Sequence, residues 1–328
     1  MQNVRIQVLM PTYNHVNEVE KTLNSIWEQN YDRENIYVSV VDFGSTDGTV
    51  AKLFSYDNYH LGIYQKEEQR NVRLRVAEAA NILNYVRLGG EFSFCVLLYP
   101  GEIMYPDCLS KCVEAFLKYY SANPTMVICE VDILQPDGTV IRQKPLYLKD
   151  RIIDGKRDFN DYIKGEYKHQ VFEMVTFFHM KKYKSNGEIN EQRFWNKASR
   201  SNHERNAIYL KEALVCTKAV YYEDEFEEIL SRWEAIISIV RAYTNKFGHG
   251  FDTDFERLAK LNLAEYALWR SWLLYQNPER RKEMEDCLLI AGVISPQIEF
   301  HEIYGELRKL IFEKDCTVTD NIISYFAY

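Results

Sequence analysis

Short apolar runs alternate with amphipathic segments along the first half of the chain, and this alternation restricts the fold more than any other feature. Val4–Met10 is an apolar run that Pro11 ends, and Ile36–Val41 is a second one. After each run, apolar residues recur at helical spacing, which predicts an amphipathic helix. A third apolar run covers 92–98. The pattern is typical of βα units, whose strands form a mainly parallel sheet covered by helices.

The later parts of the chain modify this picture in two ways. Residues 125–134 and 139–141 flank a Gln-Pro-Asp-Gly turn, which predicts a hairpin and therefore a mixed sheet. After Glu223 strand signals vanish, and long charged segments carry apolar residues at helical spacing. The sequence therefore predicts a sheet-containing domain over 1–222 and an α-helical subdomain over 223–328.

Composition excludes several classes of protein. With 46% hydrophobic residues, 14 Gly and 8 Pro, the chain can bury a substantial core and is unlike a disordered protein. A net charge of 40 − 48 = −8 disfavours nucleic acid as a partner. No apolar run approaches the ~20 residues of a membrane-spanning helix, and the start of the chain has no leader pattern, so we expect a cytoplasmic protein. The 7 cysteines form no CxxC pair, which favours reduced, buried thiols.

Two loops follow the first two predicted strands. Residues 11–14 read Pro-Thr-Tyr-Asn, and residues 42–49 read Asp-Phe-Gly-Ser-Thr-Asp-Gly-Thr. In an open α/β sheet, ligands bind beyond the carboxyl ends of adjacent strands. Tyr13 offers a ring for stacking on a base, Asp42 an acceptor for base or ribose donors, and the 44–48 turn a close backbone approach. The alternative is that the second loop is only a favourable βα turn.

Taken together, the two loops resemble those of the family 2 glycosyltransferases. The likeness continues at 90–92, which reads Gly-Glu-Phe, and at 106–109, which reads Pro-Asp-Cys-Leu. The resemblance implies a GT-A nucleotide-sugar-binding fold, transfer of a sugar with inversion, and a divalent cation held by an Asp-x-Asp motif. The residues that it implies for binding the nucleotide sugar are Pro11, Thr12, Tyr13, Asp42, Ser45, Asp47 and Arg73.

The sequence departs from the family pattern where the metal loop is expected. Residues 98–102 read Leu-Tyr-Pro-Gly-Glu in place of Leu-Asp-x-Asp-Asp. Glu102 is the only local carboxylate that could hold Mn²⁺ or Mg²⁺; the alternative is a loop acid in a site that binds no metal. Phe43 and the Ala79-Ala80-Asn81 segment depart from the family pattern as well. A cation that faces the phosphates would therefore have to come from one of the arginines at positions 70, 73 and 75.

The resemblance also implies a carboxylate base further along the chain. Residues 177–182 and 193–194 resemble the segments that precede this base, which makes Glu204 the candidate, with His203 as a substitute. Because apolar residues after position 206 fit a helical pattern, we expect Glu204 at a helix N-terminus, where its carboxylate stays ionised. The alternative is a first-turn Glu that only stabilises that helix.

These expectations lead to two hypotheses of function. The first is transfer of a hexose from a UDP-type sugar to a glycan, lipid-linked or protein-linked acceptor at the cytoplasmic membrane face, as in capsule- and teichoic-acid-type members. The second is a catalytically silent GT-A module that binds a glycan or a partner glycosyltransferase. Self-association as a homo-oligomer is open in both.

Overall fold

The structure is a computed structural model that describes most of the chain. The described residues are 4–56, 60–69, 75, 78–79, 93–134, 138–142, 145, 147–154, 175–179, 206–218, 225, 229–230, 233, 253–275, 277–313 and 316–326. For 93, 175–179, 253–256 and 278 this description concerns the backbone alone.

The described strands form one mixed sheet. They are β1 (Arg5–Thr12), β2 (Ile36–Asp42), β3 (Leu61–Gln65), β4 (Ser93–Leu97), β5 (Ile103–Met104), β6 (Met126–Leu134), β7 (Val140–Arg142), β8 (Arg151–Ile153), β9 (Val175–His179) and β10 (Ala207–Lys218). Their order is β3-β2-β1-β4-β9-β6-β10-β5, with β7 paired to β6 and β8 paired to β10. The predicted strands in the first half and the 125–141 hairpin are confirmed.

Most of the long strands point in the same direction. β1 is parallel to β2 and β4, β2 is parallel to β3, and β6 is parallel to β10. β9 is antiparallel to both β4 and β6, so β4 and β6 share one direction. The carboxyl ends of β1, β2, β4, β6 and β10 therefore lie along one edge of the sheet. Thr12 and Asp42, the last residues of β1 and β2, are directly paired there.

The helices that follow the strands are α1 (Val19–Trp27), α2 (Thr49–Phe54) and α3 (Cys108–Lys118). Their apolar faces and the alternate residues of the central strands form one buried core, in which Ile6, Val8, Leu23 and Phe116 are fully buried. The N-cap position of α1 is Glu18, without a side-chain cap bond. Backbone bonds from Glu18 and Val19 to the His15 carbonyl begin the helix instead.

The segment after Asn206 differs most from its prediction. It is the 12-residue strand β10, not a helix. Ala207–Leu210 are buried one after another, and a short continuous apolar run fits a buried strand as well as a helix. Pairing decides the outcome, because β6 lies along one side of β10 while β8 and β5 lie along the other. Glu204 therefore does not precede a helix, and the electrostatic argument that kept it ionised loses its basis.

Contacts divide the chain into two units. One comprises Met1–Phe159 with Glu173–Ala219, and the other comprises Asn160–Phe172 with Val220–Tyr328. The predicted boundary after Tyr222 stays a prediction, since 219–224 lie outside the described residues.

The described residues beyond 223 are helical or lie in connecting loops. They form α4 (Thr253–Tyr275), α5 (Arg281–Ile294), α6 (Glu302–Phe312) and α7 (Asp320–Phe326). The predicted C-terminal helical region is thus confirmed. None of the described helices combines the length and the apolar character that crossing a bilayer requires. Six of the seven cysteines are buried, and Cys316 is exposed.

Candidate functional site

Backbone and side-chain bonds join the two loops that follow β1 and β2. Asn14 adopts a left-handed conformation, with φ 56°, which Asn tolerates better than most residues. Its backbone N–H donates to Ser45 Oγ at 2.8 Å, and its Oδ1 accepts from the Thr46 N–H at 2.9 Å. The His15 N–H donates to Thr49 Oγ1 at 2.9 Å. The loops therefore form one connected surface at the carboxyl edge.

Asp47 strengthens this connection from the second loop. Its Oδ2 accepts from the Val16 N–H at 3.0 Å, and its Oδ1 accepts from the Thr49 N–H and hydroxyl at 3.0 and 2.6 Å. Partial burial by itself raises the pKa of Asp47, but the bonds from Thr49 and Val16 outweigh it and lower the pKa below its ordinary value. Asp47 is therefore an ionised residue that holds the loop before α1 at Val16 and the start of α2 at Thr49.

Asp42 holds the turn that Gly44 makes possible. Its carboxylate is 1% exposed and accepts from both the backbone N–H and the hydroxyl of Ser45. Gly44 has φ 79°, and a Cβ there would lie 3.1 Å from Glu68 Cα. Only glycine fits this conformation and this approach without strain. In the structure Asp42 thus shapes the loop, while the role of base or ribose acceptor stays a prediction.

Tyr13, in the first loop, makes side-chain contacts with two further residues, Glu68 and Arg75. Its hydroxyl donates to Glu68 Oε1 at 2.8 Å, and Arg75 Cζ lies 5.4 Å from its ring centroid, within cation–π range. Arg75 is largely buried, and its Nη1 donates to the Gln69 carbonyl at 3.1 Å. These contacts fix the plane of the Tyr13 ring at the edge of the sheet.

His15 follows Asn14 in the first loop. Its Nδ1 accepts from the Tyr13 N–H at 3.2 Å and lies 3.3 Å from Thr12 Oγ1. With Nδ1 as the acceptor, the proton of a neutral ring is on Nε2. Burial lowers the pKa of His15, as do Arg75 and Lys218, whereas Glu18 and Asp47 act in the opposite direction. The neutral imidazole is therefore an N–H donor at neutral pH.

The loop after β4 folds its one carboxylate inward. Glu102 Oε2 accepts from the Tyr99 N–H at 2.7 Å, and Oε1 accepts from Thr217 Oγ1 at 3.1 Å. The Gly101 N–H donates to Thr22 Oγ1 at 2.8 Å. Glu102 thus closes its own turn and ties the loop to the end of β10.

The described residues do not fit the divalent cation that the resemblance implies. Magnesium and manganese prefer several carboxylate or other oxygen ligands around one point. The carboxylates of Glu102 and Asp42 are already engaged by protein donors. Within the part of the chain that is described, no group of three or more His, Cys, Asp or Glu side chains could hold a metal ion.

Lys218, the last residue of β10, is a site residue that the sequence did not reveal. Its Nζ lies 3.1 Å from Glu18 Oε1, and its stem packs on Gly101. The prediction of a helix in this segment hid its place at the carboxyl edge, and a single lysine carries no motif.

The predicted site residues fall into three groups according to where they lie in the structure. Tyr13, Asp42, Ser45 and Asp47 lie together in the connected loops. Pro11 and Thr12 are buried at the end of β1. Arg73, His203 and Glu204 lie outside the described residues.

Comparison with known proteins supports both the fold and the loop motifs. Residues 7–80 match the family model described as Glycosyl transferase family 2. Over 67 residues the chain is 37% identical to Glycosyltransferase AglE of Haloferax volcanii, a match that covers 19% of this chain and 22% of AglE. The aligned region thus spans about a fifth of that relative.

Solved structures extend the likeness to nearly the whole chain. S. aureus TarS 1-349 matches with a TM-score of 0.55 and 14% identity, over 94% of this chain and 86% of that one. The same fragment in complex with UDP-GlcNAc gives 0.55 and 14% over 93% and 86%. The predicted GT-A fold with a helical C-terminal region is therefore confirmed.

Proposed function

We propose that the protein is a family 2 glycosyltransferase that transfers a hexose from a nucleotide sugar, with UDP as the expected nucleotide, to a glycan, lipid-linked or protein-linked acceptor. The observation that carries this proposal is the connected pair of loops at the carboxyl edge, which lies within the matched segment 7–80. The TarS structure with UDP-GlcNAc supports a uridine nucleotide as the first donor to test. We place the reaction at the cytoplasmic membrane face, on an acceptor of the capsule or teichoic-acid kind.

In the proposed mechanism the loops bind the donor and orient its sugar. Tyr13 offers its ring to the base, and the 44–48 turn lets the backbone approach the ligand closely. A base removes the proton of the acceptor hydroxyl, whose oxygen attacks the anomeric carbon from the side opposite the leaving diphosphate. The anomeric configuration is therefore inverted.

The test of donor binding is a thermal-shift series with UDP, GDP, CDP and their sugars. A ligand that binds only the folded state raises the melting temperature, by an amount that grows with its concentration over Kd. We expect UDP to raise it and Tyr13→Ala to reduce the rise. Lys282→Ala, on α5 in the other unit, is the matched control. The absence of a shift with every nucleotide would contradict the proposal.

The proposed base is Glu204, with His203 as its substitute, as the resemblance implies. Glu204 is replaced by Gln and His203 by Asn, and donor binding and sugar transfer are measured separately. Loss of a general base lowers kcat about 10²- to 10⁴-fold and leaves binding intact. Undiminished transfer in Glu204→Gln would remove that residue from the mechanism.

A silent GT-A module is the second function that a specific observation favours. In the loop after β4, Tyr99 and Gly101 stand where the family has aspartates, and Glu102 bonds within the protein. A module of this kind would bind a glycan or a partner glycosyltransferase and turn over no donor. The absence of hydrolysis or transfer of any UDP- or GDP-sugar, together with the absence of nucleotide binding, would favour it over the enzyme.

A further inference from the structure

A lysine side chain fills the space beside the glycine of the β4 loop. Gly101 has φ 98°, and a Cβ at this position would lie 3.2 Å from Lys218 Cε and 3.3 Å from its Cδ. Any larger residue would therefore be strained and would push the lysine stem aside. The β4 loop and the end of β10 are thus shaped to bring an ammonium group against the loop.

The ammonium group is anchored and still accessible. Its Nζ lies 3.1 Å from Glu18 Oε1, and the Lys218 side chain is 51% exposed. An ammonium has three donors, so one bond to Glu18 leaves others for a ligand. Glu18 comes just before α1, in the segment that follows the first nucleotide loop. The lysine therefore reaches the same edge as Tyr13 and the connected loops.

Two further basic side chains belong to the same stretch of chain or contact it. His15 accepts from the Tyr13 N–H through its ring and from the Glu18 N–H through its carbonyl. Arg75 lies over the Tyr13 ring. An ammonium, an imidazole N–H and a guanidinium group are therefore held by the one segment 13–18. Glu18 and Asp47 add two carboxylates near these groups, and hydrogen bonds from Val16 and Thr49 hold Asp47 in its own loop.

We propose that Lys218, with Arg75 and the His15 N–H, binds the diphosphate of the donor and takes up the charge of the leaving group in place of a divalent cation. This inference rests on the proposed function. It agrees with the poor fit of Glu102 and Asp42 to a metal ion.

The step balances without a further reactant. The bond between the anomeric carbon and the β-phosphate oxygen breaks, and its electron pair stays on that oxygen. The acceptor oxygen forms the new bond, and its proton passes to the base. The nucleoside diphosphate leaves with one more negative charge, which the Lys218 ammonium meets by a charge-assisted hydrogen bond.

The experiment compares UDP with uridine, because the two differ only in the diphosphate. Binding is measured by titration calorimetry with excess EDTA and again with Mn²⁺. We expect the same UDP affinity in both. Lys218→Met keeps the stem on Gly101 and removes the charge, so UDP affinity should fall about ten- to hundredfold while uridine affinity stays unchanged. Lys218→Arg should recover most of the loss.

Two variants separate this role from a structural one. Lys211→Met, on the same strand and exposed, is the matched control and should bind UDP like the parent protein. Glu18→Gln releases the ammonium from its anchor, so UDP should bind equally well or more tightly. If the only role of Lys218 were to form the ion pair with Glu18, then Glu18→Gln and Lys218→Met would weaken UDP binding to the same extent.

The outcomes that overturn the inference differ from those that overturn the proposed function. Two results would exclude Lys218 as the group that replaces a metal ion, but would leave the protein a nucleotide-binding one. The first is UDP binding that depends on Mn²⁺. The second is an equal loss of affinity for UDP and for uridine in Lys218→Met. No binding of UDP, GDP or CDP by the parent protein would overturn both. If the protein binds GDP or CDP rather than UDP, the same comparison is made between GDP and guanosine or between CDP and cytidine.

Discussion

At the scale of single residues, two glycines with similar backbone angles differ in their surroundings. Gly44 has φ 79° and Gly138 has φ 86°, but only at Gly44 would an added Cβ lie within 3.4 Å of backbone and side-chain atoms of Glu68. A left-handed conformation costs an Ala about 1–2 kcal/mol at either position. Steric overlap with the Glu68 backbone adds to this only at Gly44.

We therefore predict that Gly44→Ala is more destabilising than Gly138→Ala. The difference should be about 1–3 kcal/mol, the usual cost of overpacking, in unfolding by urea. The melting temperature gives a second readout, and Gly44→Ala should also weaken UDP binding, because it displaces the loop. Equal losses for the two variants would show that the Glu68 contact relaxes at no cost.

His15 makes the stability of the protein depend on pH in a definite direction. Burial lowers its pKa below the ordinary value of 6.5, so the unfolded chain binds a proton at a higher pH than the folded chain does. The stability that the neutral ring contributes is complete above pH 6.5 and is lost as the pH falls through the lowered pKa. Melting temperatures at pH 7.5, 6.5 and 5.5 should fall less for His15→Gln than for the parent protein. His60→Gln is the control. An equal fall in melting temperature for His15→Gln and the parent protein would contradict this prediction.

At the scale of secondary-structure elements, local pattern predicts those elements whose sequence allows one interpretation. β1, β2 and α1 have a clear period, so the sequence predicts them. It does not predict β10, because the buried run there fits two periods and only the partners β6, β8 and β5 choose between them. The site follows the same rule: the loops after β1 and β2 carry a motif, whereas Lys218 reaches the edge only through a strand that tertiary pairing creates.

The pairing of β6 with β10 gives a prediction of its own. Tyr209 is fully buried, and its hydroxyl donates to Glu130, a residue of β6 that is 3% exposed. Tyr209→Phe removes this donor from a buried carboxylate and should cost about 1–3 kcal/mol. Tyr105→Phe is the matched control. It removes a donor to buried Asp132 at 2.8 Å, but Arg142 still donates to both oxygens of that carboxylate.

Urea denaturation of the two variants measures the difference. We expect the larger loss in Tyr209→Phe, because Tyr209 is fully buried whereas Tyr105 is partly exposed. A larger loss in Tyr105→Phe would show that Arg142, whose side chain is 77% exposed, contributes little to holding Asp132.

At the scale of the whole molecule, each unit has a means of stabilisation of its own. The first has the apolar core between its sheet and helices. The second contains a charged pair inside its helices: Arg270, 1% exposed, donates to both oxygens of Glu225 at 2.8 and 2.7 Å. Arg280 Nη1 lies 3.5 Å from the same carboxylate. The pair joins position 225 to α4 across 45 residues of sequence.

Breaking this pair should be far more costly than replacing it. Arg270→Met leaves the Glu225 carboxylate buried with Arg280 as its remaining described cation, and removal of one partner of a buried pair costs about 3–5 kcal/mol. Arg270→Met with Glu225→Leu removes both charges, so most of the loss should be recovered. Calorimetry of the single and double variants measures this as the shift of the melting temperature. A double variant no more stable than Arg270→Met would show that the pair contributes attraction beyond its desolvation cost, and that the charges themselves hold 225 to α4.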